Sequence, residues 1–496
     1  MTAYKSLEAM RKRVSALNNA MGILGWDKET MMPEGAAPAR AEVFAELSLM
    51  VHELETDDHL PDLIAQAEEQ REQLDIWQQA NLREIRHNYL HANCMPADLV
   101  EKTELARSES AMAWREARPK NDFKSLAPKL DALFRLKREE ANIKSEIMGV
   151  TPYESLLDQY DPGRREPQVD LLFDDLAQFL PGFMQEVMAK QAAGPQLQRP
   201  QGPFTQANQE ALSQELLAIL DFPFDHGRLD TAAHPFSGGA EGDIRITTRY
   251  EEDDFTKSLM AVIHETGHAL YENGRPAKWR GQPVGEARGM TLHESQSLLL
   301  EMQAARSEEF IRFLTPRVQS IFKGDGPAWA SDNILRLYRK VEPGLIRVYA
   351  DEITYPLHVI LRYKLEKAIL ADDISIAELP GAWNDMMETY LGVRPKDDRD
   401  GVMQDVHWPE GLFGYFPTYS LGAMAAAQIF SSAVDAEAAI LPGLAEGNFK
   451  PLYGWLDTNI RSQGCLYTPD ELVQQATGKP LGTAAYKAAV TRRYLG

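Results

Sequence analysis

Apolar residues recur at helical spacing through most of this chain, and only one stretch alternates with period two. Between Asp253 and Asn273, Leu259, Met260, Val262, Ile263 and Leu270 draw one apolar stripe; Asp253 or Asp254 can cap its start, and Asn273-Gly274 is a natural stop. A second helical run extends from Leu298 to Leu314. Residues 1–200 read as helix after helix, with charged periodic stretches such as Ile64 to Tyr89 and Phe123 to Met148. The alternating stretch is Asp243-Ile244-Arg245-Ile246-Thr247-Thr248-Arg249-Tyr250, the mark of a half-buried strand just ahead of the 253–273 helix. An exposed edge strand there would pair with an extended peptide backbone whatever its side chains; the alternative is an ordinary hairpin strand. The pattern predicts a mostly α fold. Pro/Gly patches at 193–203 and 324–327 are too short to be linkers, and no repeat is evident. One domain over residues 1–496 is therefore expected, with 1–200 forming a helical wall or lid and 201–496 carrying the chemistry.

That chemistry centres on His264-Glu265-Thr266-Gly267-His268. On a helix, residues four apart share a face, so both imidazoles can present a nitrogen to one Zn²⁺ at about 2.0–2.1 Å. Glu265 lies beside them, where a carboxylate can take a proton from the attacking water and pass it to a leaving amine, the general-base role of this pattern in metalloproteases. A core helix whose histidines merely hydrogen-bond to neighbours is the bland alternative. A hydrolytic zinc needs a third protein ligand. Thr291-Leu292-His293-Glu294-Ser295-Gln296 offers His293 and Glu294. Glu294 is favoured, because a glutamate from the next helix completes a two-histidine, one-glutamate site. Against this, Thr291 and Glu294 also spell a capping box, in which the glutamate would only satisfy backbone. Glu301, two turns beyond Glu294, is a candidate acceptor for the far nitrogen of a ligand imidazole.

Several further motifs stand in a fixed order along the chain: His234-Pro235-Phe236, Asp243-x-Arg245-x-Thr247, the two-histidine helix, His293-Glu294-Ser295-Gln296, Ile346-Arg347-x-x-Ala350-Asp351, and Gly401-x-x-Gln404-Asp405-x-His407-Trp408. Trp26-Asp27-x-Glu29-Thr30-x-Met32-Pro33 and Pro451-Leu452-x-x-Trp455-Leu456 lie near the ends. This ordered set resembles the carboxypeptidase Taq-like (thermostable carboxypeptidase) metallocarboxypeptidases over nearly the whole chain. The resemblance implies a Zn²⁺ or Co²⁺ enzyme, one ion per chain, that removes single residues from peptide C-termini. It assigns His264, His268 and Glu294 as ligands and Glu265 as base. It also implies a homodimer and a helical fold of neurolysin-like shape, with a deep groove and a small sheet beside the metal.

An enzyme of that kind must recognise a free carboxylate, for which a guanidinium is the best-matched partner. Arg347 is the leading candidate and Arg245 the second, unless one of them holds a structural acid such as Asp351 or Asp243. Asp243, Thr247, Gln404 and Asp405 are expected at or near the substrate. His234, His407 and a tyrosine of Tyr415-Phe416-Pro417-Thr418-Tyr419, above all Tyr419, are candidates to stabilise the negative oxygen that peptide hydrolysis develops.

Net charge is −22 with pI near 5.0, which argues against binding nucleic acid or an anionic membrane, since either requires a basic face. The start, Met1-Thr2-Ala3-Tyr4-Lys5, shows no continuous apolar segment of signal-peptide type, and the Ala-rich run from Ala423 to Leu441 is interrupted by Gln428, Asp435 and Glu437. Two cysteines, Cys94 and Cys465, in neither metal-binding nor redox spacing, suit a reducing compartment. A cytoplasmic peptidase acting on peptides is expected. An endo-oligopeptidase or aminopeptidase on the same scaffold, and a non-catalytic helical binding protein, are the alternatives.

Overall fold

A computed structural model describes residues 2–496; Met1, the first residue of the segment weighed as a leader, lies outside them. Helices dominate it, as the apolar periodicity requires. Helix Phe255–Asn273 starts where the Asp254 carboxylate accepts from the Thr256 N–H and stops at Gly274. We call it the histidine helix. The helical run placed from Leu298 begins nine residues earlier, with helix Gly289–Leu298, the glutamate helix. It passes into a wider π-helical turn over Leu299–Ala305, and helix Glu308–Phe322 follows.

The early start has tertiary causes. Gly289 takes φ +66°, a left-handed conformation that glycine adopts without a Cβ penalty. The Arg288 N–H donates to the Tyr271 hydroxyl, the Met290 N–H to the Tyr160 carbonyl, and the Thr291 hydroxyl to Asp161. None of these partners is local in sequence.

The sheet has three strands, β1 (Gly227–Thr231), β2 (Ser237–Ala240) and β3 (Asp243–Thr248), in the order β1-β3-β2. β3 pairs parallel with β1 and antiparallel with β2. The alternating stretch is thus the central strand, and both of its edges are used. The expectation that it would offer an edge to a substrate backbone is corrected by this pairing. Ile244 and Ile246 of β3 pack against Val262 and Ala269, which seats the sheet on the histidine helix.

The core divides well before residue 200. Tyr4, Leu7, Leu60, Ile64, Leu82 and Ile85 form a small cluster of their own, joining helices Thr2–Thr30, Leu60–Glu69 and Ile76–Asn93. From Ala117 onward, helices Phe123–Met148 and Glu166–Ala193 share one continuous core with the metal-site half. Each large apolar side chain buried there contributes about 1.5–3 kcal/mol. The Ala-rich run belongs to helix Pro417–Ala436, which lies in this core over the glutamate helix. Among the described residues no single helix is long and apolar enough to cross a membrane.

Candidate metal centre and substrate site

Two glycines let three helices meet. A Cβ on Gly267 would lie 2.5 Å from both the Gln296 carbonyl oxygen and Ser297 Cα, so the histidine and glutamate helices touch backbone to backbone there. A Cβ on Gly422 of helix Pro417–Ala436 would lie 2.9 Å from Glu294 Cβ. Glu294 is thereby pressed between the two helices and aimed at the imidazoles. His264 Nε2 stands 4.0 Å from Glu294 Oε1, and His268 Nε2 stands 3.4 Å from Glu294 Oε2.

These three groups offer donor atoms within 4.8 Å of one another. Ligands at about 2.0–2.1 Å from a tetrahedral ion sit about 3.3–3.4 Å apart, so the spacing fits a zinc-type cation. The donors are directed for it. His264 Nδ1 is bonded to Glu301 Oε2 at 2.9 Å, which turns Nε2 inward, and Glu301 in turn is held by Arg306 at 2.6 Å. His293, the other possible ligand, is turned away: its Nε2 bonds Glu272 Oε1 at 2.9 Å while its ring stacks on His268 at 4.6 Å. The capping box is absent, since Thr291 donates to Asp161 and the glutamate helix has no side-chain cap.

Electrostatics here favour a cation. Burial would lower His264, but the Glu301 hydrogen bond and the carboxylates of Glu294 and Glu265 carry it up to about 10. Burial would raise Glu294, yet His268 and His264 hold it down at about 2. Glu265 is 6% exposed, and burial pushes its carboxyl up to about 7. Three buried carboxylates, Glu294, Glu265 and Glu301, lie around the imidazoles; Arg306 neutralises Glu301, and burial pushes His268 down to about 4, so Glu294 and Glu265 face the donor atoms without a fixed cation between them.

Beyond the imidazoles lies a second charged group. Asp405 is shared by two arginines: Arg347 Nε and Nη2 donate to Oδ1 at 3.2 and 2.9 Å, and Arg362 Nε and Nη2 donate to Oδ2 at 2.8 and 2.5 Å. Two guanidiniums on one carboxylate leave a net positive charge. Arg362 is fully buried, so that charge is presented through Arg347, whose Nη1 has no carboxylate partner among the described residues. The Arg347 guanidinium lies 4.9 Å from the Tyr419 ring centroid. Tyr419 shares a hydrogen bond with His407 Nε2 at 3.1 Å, and Tyr355 feels both Arg347 and Glu294. His407, lowered by burial and by Arg347 and Arg362 to about 3, is neutral.

Other sequence candidates lie apart or are otherwise engaged. Thr247 is fully buried and its hydroxyl accepts from the Phe236 N–H at 2.9 Å, so it braces the 234–236 loop; a substrate-binding role is corrected on that ground. Gln404 is corrected likewise: its Oε1 accepts from the Arg347 backbone N–H, and its Nε2 faces the carbonyls of Leu345, Asp400 and Gly401. It holds the loop that positions Arg347. Asp243 and Arg245 pair with each other at 2.8 and 2.6 Å, so the alternative in which Arg245 holds a structural acid is the arrangement present, and Arg347 remains the leading candidate for the carboxylate. The His234 side chain is exposed, and its backbone carbonyl accepts from the Thr247 hydroxyl at 3.4 Å. Phe236 packs on Trp26 at 5.1 Å, beside a cavity of about 630 Å³ between helices Thr2–Thr30 and Ala37–Glu55 and β2.

Sequence reasoning missed Arg362, Tyr355 and Glu272. Arg362 had a signal: a charge flanked by Val359, Ile360, Leu361 and Tyr363 in a helix that is buried nearly throughout.

A family model described as carboxypeptidase Taq (M32) metallopeptidase matches residues 6–494. Thermostable carboxypeptidase 1 of Thermus thermophilus is 36% identical over 99% of this chain and 98% of its own length. Carboxypeptidase 1 of Bacillus subtilis is 32% identical over 97% of this chain and 95% of its own. Trypanosoma cruzi metallocarboxypeptidase 1 has a solved structure that matches with TM-score 0.98 at 41% identity, covering 100% of both chains. With likeness along its full length and a two-histidine, one-glutamate cluster fit for a divalent cation, the chain belongs to the carboxypeptidase Taq (M32) metallopeptidase family.

Proposed function

We propose that this metal-dependent carboxypeptidase holds one Zn²⁺, or Co²⁺ in its place, on His264, His268 and Glu294, and takes single residues from the free C-terminus of unfolded peptides. The observation that carries the specificity is the Arg347–Asp405–Arg362 group. Its surplus positive charge, offered through Arg347 beside Tyr355 and Tyr419, suits a terminal carboxylate.

When bound, the cation supplies Lewis acidity that acidifies water and polarises a carbonyl. Glu265 takes the proton of the attacking water on its carboxylate and returns it to the leaving amine. Burial pushes the Glu265 carboxyl up and a neighbouring cation would draw it down again, so the group can serve as base and then as acid. Tyr419, tied to His407, and Tyr355, which feels the charges of both Arg347 and Glu294, are the groups assigned to stabilise the developing oxyanion by hydrogen bonding. Glu301 and Arg306 keep His264 in its tautomer.

A peptide with a blocked N-terminus and a free C-terminus tests the reading. Release of its last residue, lost on amidation of that end and on chelation, is the expected result; cleavage indifferent to amidation would mean an endopeptidase. We further propose that the enzyme works in the cytoplasm as a homodimer, in keeping with its two unpaired cysteines and the family resemblance. Light scattering on the purified chain tests the dimer.

A further inference from the structure

We propose that His87, His91 and Asp158 form a second divalent-cation site, for a zinc-type ion, that fastens the N-terminal helices to the turn supporting the glutamate helix. It lies outside the active centre and does not rest on the reading given above for that centre.

His87 and His91 are one turn apart on helix Ile76–Asn93, the same spacing as His264 and His268. Both aim Nε2 at one oxygen: Asp158 Oδ2 is 2.6 Å from His87 and 2.9 Å from His91. The donor atoms of all three lie within 4.8 Å of one another, as in the active centre. The two rings meet edge to face at 4.7 Å, close to the 5.0 Å of the active-site pair. Asp158 is oriented from behind, because its Oδ1 accepts from the Gly163 N–H at 2.7 Å. His91 Nδ1 is buried without a partner, so Nε2 is the only atom through which that ring is satisfied.

Two imidazoles and a carboxylate are the donor set of a borderline divalent ion, with a fourth position left for water. The side chains are 24%, 14% and 12% exposed, open enough for an ion to enter and dry enough to hold it. Lys144, whose charge is felt at His91, is paired with Glu140 at 2.6 Å and so does not fill the role of counter-charge. Cys94 points its sulfur at the His91 carbonyl and is no fourth ligand. The nitrogen–oxygen distances are hydrogen-bond lengths, so ion entry requires Asp158 to draw back by about 0.5 Å from His91 and about 0.8 Å from His87 to reach tetrahedral spacing.

The location gives the ion a job. Helix Ile76–Asn93 belongs to the small N-terminal core, whereas Asp158 follows Leu156 and Leu157 of the main core. Two residues on, Tyr160 and Asp161 receive Met290 N–H and the Thr291 hydroxyl at the head of the helix that carries Glu294.

The experiment counts Zn²⁺ in chelator-stripped protein after equilibration with Zn²⁺ alone, and records the visible spectrum with Co²⁺ alone. Wild type should take up two ions per chain. His264→Ala/His268→Ala should keep one, with the intense absorption of four-coordinate Co²⁺, and a Zn²⁺-dependent rise in Tm that disappears when His91→Gln is added. His87→Gln/His91→Gln and Asp158→Asn should each hold one ion, in the active centre. Uptake of a single ion by wild type and none by folded His264→Ala/His268→Ala would overturn the proposal and leave a hydrogen-bonded His–Asp–His group. Because that variant leaves the new site intact, the count stands even where a change at His87 or His91 prevents folding. A wild type whose ions are lost only with changes at 87, 91 or 158 would sink the active-centre reading and uphold this one.

Discussion

Gly267→Ala is the smallest change that should dismantle the metal centre without touching a ligand. The added methyl would sit 2.5 Å from the Gln296 carbonyl oxygen and 2.5 Å from Ser297 Cα. Both are backbone atoms of helical turns and cannot rotate away. Restoring ordinary contact, at 3.4 Å or more, means opening the crossing of the two helices by about 1 Å, a form of overpacking that costs about 1–3 kcal/mol. Glu294 rides on the helix that must move, two residues before Gln296, and stands 3.4 Å from His268 Nε2. Metal–ligand distances tolerate only about 0.2 Å. A shift several times larger should weaken Zn²⁺ binding by at least the 10–100-fold typical of losing an outer partner. Competition against a chromophoric chelator measures the affinity, and calorimetry the Tm. Gly182→Ala is the control: nothing lies within 4 Å of a Cβ there, mid-helix, so it should stabilise by about 1 kcal/mol and leave metal affinity alone. A Gly267→Ala protein that is folded and binds Zn²⁺ as tightly as wild type would refute the close-crossing account of the site.

Glu265→Gln should keep the metal and lose turnover, by about 10²–10⁴-fold for a missing general base, whereas His264→Ala should lose both; single-turnover kinetics alongside metal analysis separates them. Arg347→Ala should lower kcat/KM on free-carboxylate peptides by about 10–100-fold, the loss of one charge-assisted hydrogen bond of about 1.5–3 kcal/mol, with a smaller effect on amidated ones; equal losses would move the carboxylate contact elsewhere. Asp405→Asn leaves two buried guanidiniums facing each other and should cost about 3–5 kcal/mol. Burial alone would raise Asp405, but Arg347 and Arg362 hold it well below its ordinary 3.8. Its stabilisation is therefore complete above that value and erodes only below it, so the Tm gap to wild type should stay constant from about pH 8 to about pH 5 and narrow in stronger acid.

What could be read from residues alone follows the range of the forces involved. The histidine helix and its pair of imidazoles are local: a 3.6-residue period and a spacing of four are written in adjacent positions. Whether β3 is a free edge or an ordinary hairpin strand stays open in the sequence because its neighbours hide. Gly-Arg-Leu-Asp-Thr and Ser-Gly-Gly-Ala show no apolar alternation, and only the pairing makes β3 the hairpin partner of β2 and the central strand. Thr247 and Gln404 misled for a different reason: a polar side chain in a catalytic motif and one that ties down backbone look alike until its partners are known. Arg362 was visible as a charge in an apolar helix, yet only the fold shows that Asp405 divides itself between it and Arg347 and so leaves one positive charge over.

The two histidine pairs make the same point more sharply. His87/His91 and His264/His268 share a spacing, but the first sits in a charged run and finds its carboxylate 67 residues away from His91, while the second sits in an apolar helix followed closely by a glutamate helix. Spacing supplies two ligands in either case. Whether a third arrives is decided by helix crossings that glycines permit, and the close contact at Gly267 is one that no periodicity records.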